Sequence, residues 1–321
     1  MPGVALPPLP PPDPVRGGPV LVLGARGFLG RCILGELAAV GRAARTTPPG
    51  DLTAATPAEW DRWLDGVSGV INAAGRTVGP PGELARANAL LPALVLEAAG
   101  RANVRLVHLG SAAEYGALPA GHAAREDGPA RPLSAYGASK LAGTVLTEEA
   151  ARTGRVQAAA LRLTNPLGAG LGAGTLPGRA ARELSAAAQG GRDAVRFGPL
   201  GARRDFLDAR DAARAALHVL ASELVGVVNV GSGQSRPVRA VVDGLAALTG
   251  FRGQVLEDAP GSPRSGDVPH QRADISRLLE SGFTFRHSFQ DALTDLLRGL
   301  HPAEILPAES HPAEPQPAVP G

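Results

Sequence analysis

Pro19-Val20-Leu21-Val22-Leu23-Gly24-Ala25-Arg26-Gly27-Phe28-Leu29-Gly30 is the stretch whose reading decides the fold. Pro19–Leu23 is a short apolar run, the pattern of a buried strand, and Phe28–Val40 carries apolar residues at helical spacing. Between them lie Gly24, Gly27 and Gly30. Glycine lets the backbone turn tightly and come close to a pyrophosphate, and the last glycine lets helix and strand pack closely. The helix start then offers unpaired N–H groups and the positive end of its dipole to phosphate oxygens. The spacing is G-x-x-G-x-x-G, and this chain holds 42 glycines, so the match alone is weak. Its place between a strand and a helix favours a dinucleotide-binding turn over a purely structural one.

Outward from this turn, strands and helices alternate. Gly69–Ala73, Val104–Leu109 and Val156–Leu163 read as further strands, and Arg42–Thr46 as a short one. Glu83–Ala102 and Leu133–Arg152 read as helices. This alternation predicts an α/β fold with a doubly wound parallel sheet. After Asn165 the pattern loosens: helices are expected at 176–189, 209–222, 236–249 and 288–299, and Val225–Val230 as a strand returning to the sheet. The expected division is a dinucleotide-binding domain over 18–165, rejoined by about 208–230, and a smaller substrate domain from 166–207 and 231–301. The ends read as disordered tails: residues 1–17 hold seven prolines, and 302–321 are rich in Pro, Ala and Glu.

Composition excludes several classes. The chain has 321 residues and is 44% hydrophobic, enough for a sizeable core. No apolar run is long enough to span a bilayer. Cys32 is the lone cysteine, so an internal disulfide framework and a Cys-based zinc cluster are excluded, and no metal is expected. Lys+Arg total 32 against 30 Asp+Glu, with the basic residues scattered, and aromatics are only 3%. Neither a nucleic-acid-binding stripe nor a stacking platform is present. A cytoplasmic location is expected.

About 20 residues past the glycine turn, NAD-binding chains commonly carry an acid for the ribose hydroxyls. Here the region reads Gly41-Arg42-Ala43-Ala44-Arg45-Thr46-Thr47. With no acid present, and with Arg45 and Arg26 available to a 2′-phosphate, the reading favours NADP over NAD.

Ser134-Ala135-Tyr136-Gly137-Ala138-Ser139-Lys140 puts Tyr136 and Lys140 at i and i+4, on one face of a helix. Lys140 is the single lysine of the chain. Lysine offers what arginine does not, a compact charge with a shiftable pKa. A phenol near pH 10 is a poor acid–base group at neutral pH, and an adjacent ammonium favours its phenolate. Such a phenol can exchange a proton with a carbonyl or alcohol. Ser111 closes the strand 25 residues upstream of Tyr136, at the sheet edge where a ligand crevice forms, and could bond the reacting oxygen.

Together these residues resemble the extended short-chain dehydrogenase/reductase family, the nucleotide-sugar epimerase/dehydratase group. The resemblance is carried by Gly24, Gly27 and Gly30; Asp51-Leu52; Asn72-Ala73-Ala74-Gly75; Asn88; Gly110–Gly116; Tyr136/Lys140; Arg162–Gly168; Arg203–Asp211; Asn229–Gly233; and Gly266–Val268. It covers about residues 18–300 and implies a Rossmann-like fold. It further implies a catalytic Ser111, Tyr136 and Lys140, and cofactor contacts from Phe28, Leu29, Asp51, Leu52, Ala73, Ala74, Asn88 and Lys140. Asn165 at the substrate diphosphate is implied as well, with Arg204 and Arg264 clamping that group. For Arg204 the competing reading is an ion pair with Asp205 or Asp208. The family's habit of pairing two helices per subunit implies a homodimer, with Leu141, Val145 and Leu146 as candidate contacts.

The departures narrow the chemistry. Dehydratases of the group carry acids after the serine position, and decarboxylating members need a carboxylate there; this chain has Ala112 and Ala113. The Arg203–Asp211 segment is most similar to that of the NDP-4-keto-6-deoxyhexose reductases. The leading expectation is therefore reduction of a 4-keto-(deoxy)hexose nucleotide, with Tyr136 as proton donor. The alternatives are a 4-epimerase with tightly held NAD and, in another class, a dinucleotide-binding sensor without turnover.

Overall fold

The computed structural model describes residues 17–260 and 268–300. The expected tails and Arg264, with most of the Gly266–Val268 motif, lie outside these residues. The chain runs β1 (Val20–Leu23), α1 (Phe28–Ala39), β2 (Ala44–Thr46), a 3₁₀ turn (Leu52–Ala54), α2 (Pro57–Leu64) and β3 (Gly69–Asn72). It continues through α3 (Pro81–Ala85), a π turn (Arg86–Leu90), α4 (Leu91–Ala102), β4 (Leu106–Ser111), a 3₁₀ turn (Ala112–Glu114), α5 (Ala135–Arg152) and β5 (Ala158–Leu163). Then come β6 (Asn165–Leu167), α6 (Leu176–Gln189), β7 (Ala194–Arg196), β8 (Arg203–Asp208), α7 (Ala209–Ala221) and β9 (Gly226–Val230). The last elements are β10 (Ser235–Pro237), α8 (Arg239–Thr249), β11 (Gln254–Leu256), α9 (Ser276–Glu280) and α10 (Phe289–Arg298).

The main sheet has the order β2-β1-β3-β4-β5-β9, and every pair in it is parallel. Side chains alternate across it as the two-residue strand period requires. Val20 and Val22 of β1 join a core with Ile33 and Leu37 of α1 and Ala216 and Val219 of α7. Leu21 and Leu23 join another with Trp60 and Leu64 of α2 and Leu91 and Val95 of α4. Burial on both faces explains why the strands read as unbroken apolar runs. From β1 the chain goes to β2 on one side and β3 on the other, so strand order reverses there and a crevice opens beyond the strand ends.

A third core gathers Ala181 and Leu184 of α6, Val241 and Leu245 of α8, and Leu293 of α10. It accompanies a three-stranded sheet, β10-β8-β6, and a parallel pair, β11-β7.

Two local differences from the sequence reading affect the site. The single helix expected over Glu83–Ala102 is interrupted by the π turn at Arg86–Leu90, which contains Asn88. Pro92 has no N–H to return to the Asn88 carbonyl. That carbonyl instead faces α5 so closely that a Cβ on Gly143 would lie 2.4 Å from it. The strand expected at Val104–Leu109 runs from Leu106 to Ser111, which makes Ser111 its last residue.

Candidate active site

The glycine turn is a cradle with no room for side chains. Gly24 has φ +73°, and a Cβ there would sit 2.6 Å from the Ala74 nitrogen. A Cβ on Gly30 would lie 2.1 Å from the Gly24 carbonyl oxygen, so α1 packs directly onto the turn. Gly27 N-caps α1 and has no side chain to occupy the first amides. Those amides open on a cleft of about 920 Å³. Its walls are the turn, the end of β2 at Thr46 and Thr47, Asp51–Thr53, Ala74 and Arg76. A backbone cradle at a helix N-terminus fits the diphosphate of a dinucleotide.

Six of the thirteen expected cofactor residues meet here. Gly24, Arg26, Gly27, Asp51, Leu52 and Ala74 line the cleft. Phe28 leans toward the α6–α8–α10 core, and Leu29 and Ala73 toward the main-sheet core. The Ala73 N–H donates to the Leu23 carbonyl at 3.0 Å, which brings the ends of β1 and β3 together. Asp51 accepts from Thr53 N and Oγ1 at 2.9 and 2.6 Å and pairs with Arg86 at 3.1 Å. The Thr53 hydroxyl bond foremost holds its carboxyl below the usual range. Arg26 is exposed at the cleft. Arg45 is not among the cleft walls. Its register opposite Leu21 turns it toward α2, where its guanidinium binds the Trp63 and Asp65 carbonyls at 3.0 and 2.5 Å. It thus caps the end of a helix that the sequence reading did not anticipate.

Lys140 is buried, and its Nζ donates to the Leu109 carbonyl. Burial pushes its pKa down to about 8. A Cβ placed on Gly75 would lie 3.8 Å from that Nζ, so the lysine sits just beyond the inner cleft wall. Tyr136 is half-buried one helical turn earlier on α5. Ser111 caps the Ala112–Glu114 turn, its Oγ accepting from Ala113 N at 3.2 Å. Close packing brings helix and turn together, since a Cβ on Gly137 would lie 2.6 Å from the Ala113 carbonyl. Asn88 ties the π turn to this region, donating to the Arg76 carbonyl at 2.8 Å and to Ser139 Oγ at 3.0 Å, and accepting from Arg76 N at 3.0 Å.

Asn165 and Arg204, expected on the substrate side, sit on the three-stranded sheet. Asn165 donates to the Asp205 carbonyl at 2.9 Å and to Gln271 Oε1 at 2.7 Å. Arg204 is half-buried, and desolvation lowers its pKa. Of its two anticipated partners, Asp208 binds the Arg210 side chain at 2.6 Å, and Asp205 accepts from Ser232, Gly233 and Ala273 N–H groups. The sequence reading missed His270 and Arg272. Desolvation foremost, and then the charges of Arg272, Arg203 and Arg204, lower the His270 pKa. The approach of Pro269–Gln271 to Arg203 makes this cluster, and no local spacing announces it.

A doubly wound parallel sheet with a glycine cradle at its switch point defines an α/β dinucleotide-binding protein. Residues 20–231 match the model of the NAD dependent epimerase/dehydratase family, and the chain belongs to that family. It is an NAD(P)-dependent enzyme of the extended short-chain dehydrogenase/reductase type, in a group that acts on nucleotide sugars. It is 36% identical to the dTDP-6-deoxy-L-talose 4-dehydrogenase (NAD(P)(+)) of Kitasatospora kifunensis, over 86% of this chain and 94% of that protein. Among solved structures it resembles MoeE5 in complex with UDP-glucose and NAD, with 30% identity and a TM-score of 0.75 over 88% of this chain and 98% of that one. The UDP-glucose 4-epimerase of Thermus thermophilus, in complex with NAD, gives 25% identity and a TM-score of 0.75, over 87% and 98%.

Proposed function

We propose that the protein interconverts the 4-keto and 4-hydroxy forms of a nucleoside-diphospho-6-deoxyhexose, with reduction by NADPH as the forward direction. The observation that carries this reading is the serine turn. Ser111 and the Tyr136/Lys140 pair are intact, while the two positions after Ser111 are alanines. The nearest following acid, Glu114, is fully buried and bound by Arg162, so it cannot serve water elimination at the sugar. The dehydrogenase relative from Kitasatospora acts at the same sugar carbon, and its name supports deoxythymidine diphosphate as the nucleotide.

A nicotinamide held in the cleft would supply the hydride for the sugar carbon. Tyr136 gives its phenolic proton to the oxygen that becomes the alcohol. Ser111 Oγ already accepts a backbone N–H, which leaves its own proton to donate to the same oxygen. Lys140 spends one N–H on the Leu109 carbonyl and turns its charge and remaining donors toward the tyrosine and the cofactor ribose. Asn165, Arg204 and the charges beside them would hold the sugar's diphosphate, as would Arg264 outside the described residues. NADP preference would rest on Arg26 at the cleft, with no acid among the Thr46 and Thr47 positions beside it. A second copy would cover the exposed Leu90, Val145 and Leu146 on the π turn and α5. Sedimentation as a monomer at micromolar concentration would remove that last point.

The test is NADPH oxidation with dTDP-4-keto-6-deoxyhexoses. Turnover is expected in wild type, with Tyr136→Phe losing about 10²–10⁴-fold in kcat while still binding cofactor. Near-normal turnover in that variant would sink the reading. The similarity to a UDP-glucose 4-epimerase favours a second reading, a 4-epimerase. Purified protein carrying one NAD per chain, seen by native mass spectrometry, would decide for it.

A further inference from the structure

Glu114 lies three residues after Ser111 and is fully buried. Three donors converge on its carboxylate. Ser111 N and Thr144 Oγ1 bind Oε1 at 2.7 and 3.0 Å, and Arg162 Nε binds Oε2 at 2.7 Å. In these bonds the carboxylate only accepts, and a guanidinium is among its donors. Reciprocal capping of the Ala112–Glu114 turn accounts for the Ser111 bond alone. A surface glutamate or glutamine could make that bond without the cost of burying a charge.

The other contacts show what burial accomplishes. Tyr136, Lys140 and Thr144 stand at i, i+4 and i+8 along one face of α5. Glu114 holds the last of these and, with its other bond, the backbone of Ser111. The fit is close enough that a Cβ on Gly110 would lie 2.8 Å from Glu114 Oε1 and 2.9 Å from Thr144 Oγ1. Among the described residues, the titratable or charged neighbours of Lys140 are few. His108 of β4 is buried, and desolvation with the Lys140 charge pushes its pKa well below the usual value, so it is neutral. Glu83 of α3 is at the cleft surface, paired with Arg76. The π turn contributes the neutral Asn88, β5 places Arg162 behind Glu114, and Tyr136 shares the lysine's own helix face.

We propose that Glu114 is a positioning residue of this active site: one buried carboxylate clamps the Ser111 turn to the Tyr136–Lys140–Thr144 face and provides the countercharge of the Lys140 ammonium. The inference rests on the reading of Ser111, Tyr136 and Lys140 as the proton machinery. In support, burial drives the Lys140 pKa down, and the Glu114 charge opposes that drive. Loss of the carboxylate charge therefore discharges the lysine at a lower pH.

The chain's single lysine makes this directly measurable. Full-length protein labelled with ¹³C-lysine gives one side-chain signal, and its pH titration without added cofactor reads Lys140 alone. In Glu114→Gln the midpoint is expected to fall by about one unit or more, and the basic limb of the kcat profile to move with it. A midpoint within about 0.2 units of wild type in a folded Glu114→Gln protein overturns the countercharge, since a purely structural role would not shift it. Should that variant unfold, Glu114→Asp carries the test. It keeps the charge, so the midpoint should stay near wild type while kcat falls at least about tenfold at unchanged KM, because the shorter arm loosens the clamp. Wild-type kcat in that variant overturns the clamp. Failure of wild type to turn over any keto-sugar would refute the proposed reaction without altering the lysine titration, so the two failures are distinguishable.

Discussion

The glycine-turn cleft and the proposed sugar site are built in opposite ways. On the nucleotide side, eight consecutive residues, Leu23–Gly30, form the glycine turn, which then packs against Ala73 and Ala74 at the end of β3. At the proposed sugar site, Asn165 meets Gln271 across 106 residues, and Asp205 gathers the amides of Ser232, Gly233 and Ala273. The glycine turn itself is local chain geometry, whereas the proposed sugar site exists only once β6, β8, β10 and the 269–273 segment have assembled. Mutations should therefore act differently on the two sites.

The largest effect is expected at Gly30. In Gly30→Val the added side chain would meet the Gly24 carbonyl, an atom of the backbone that cannot yield cheaply. Binding of either dinucleotide should be lost and melting markedly lowered, as read by isothermal titration and calorimetry. Retained tight NADPH binding would show that the cradle is not the cofactor seat.

Lys140 comes next. Its pKa is depressed in the folded protein, from 10.5 to about 8. The unfolded chain thus binds the extra proton between those values, and stability rises with pH across that window. The cost of the buried charge is fully present below about pH 8. Lys140→Met lacks that cost, so its advantage over wild type should shrink by about 3 kcal/mol between pH 7.5 and 10.5 in denaturant titrations without cofactor. A gap that is constant with pH would mean the lysine is not desolvated as its burial implies.

Asp205→Asn should separate the two sites most cleanly. Asn keeps one acceptor oxygen but offers N–H groups where the pocket already holds donors. The KM for the sugar nucleotide should rise about tenfold, with that for NADPH changing little. Equal changes in both would show that the two sides are mechanically coupled.

The smallest contrast lies within the nucleotide side. Arg26→Ala should raise the KM for NADPH about tenfold and leave that for NADH nearly unchanged. Arg45→Ala should leave the NADPH/NADH ratio untouched and cost about 1 kcal/mol of stability, because its hydrogen bonds go to α2 carbonyls. A changed coenzyme ratio in Arg45→Ala would reverse this assignment of the two arginines.

Much of the main sheet was legible because its signals are local. Strands buried on both faces are apolar throughout, and α6 occupies the expected 176–189. The helix α2 was missed although Thr56 and Glu59 form a capping box before it, a signal present in the sequence. The strand β8 was passed over because Arg203-Arg204-Asp205 reads as polar, yet Asp205 is buried by its bonds to backbone amides.

By itself the sequence determined the glycine turn and the Tyr136/Lys140 spacing, because each depends on residues a few positions apart, where backbone geometry sets the distances, and the parallel α/β architecture, because apolar strands alternate with helices along the chain. The tertiary structure decided the rest. It turned Arg45 away from the cleft and drew His270 and Arg272 to Arg203 and Arg204. It also buried Glu114 between Ser111, Thr144 and Arg162. These placements follow from strand register and from which elements pack together, and no spacing along the chain encodes them.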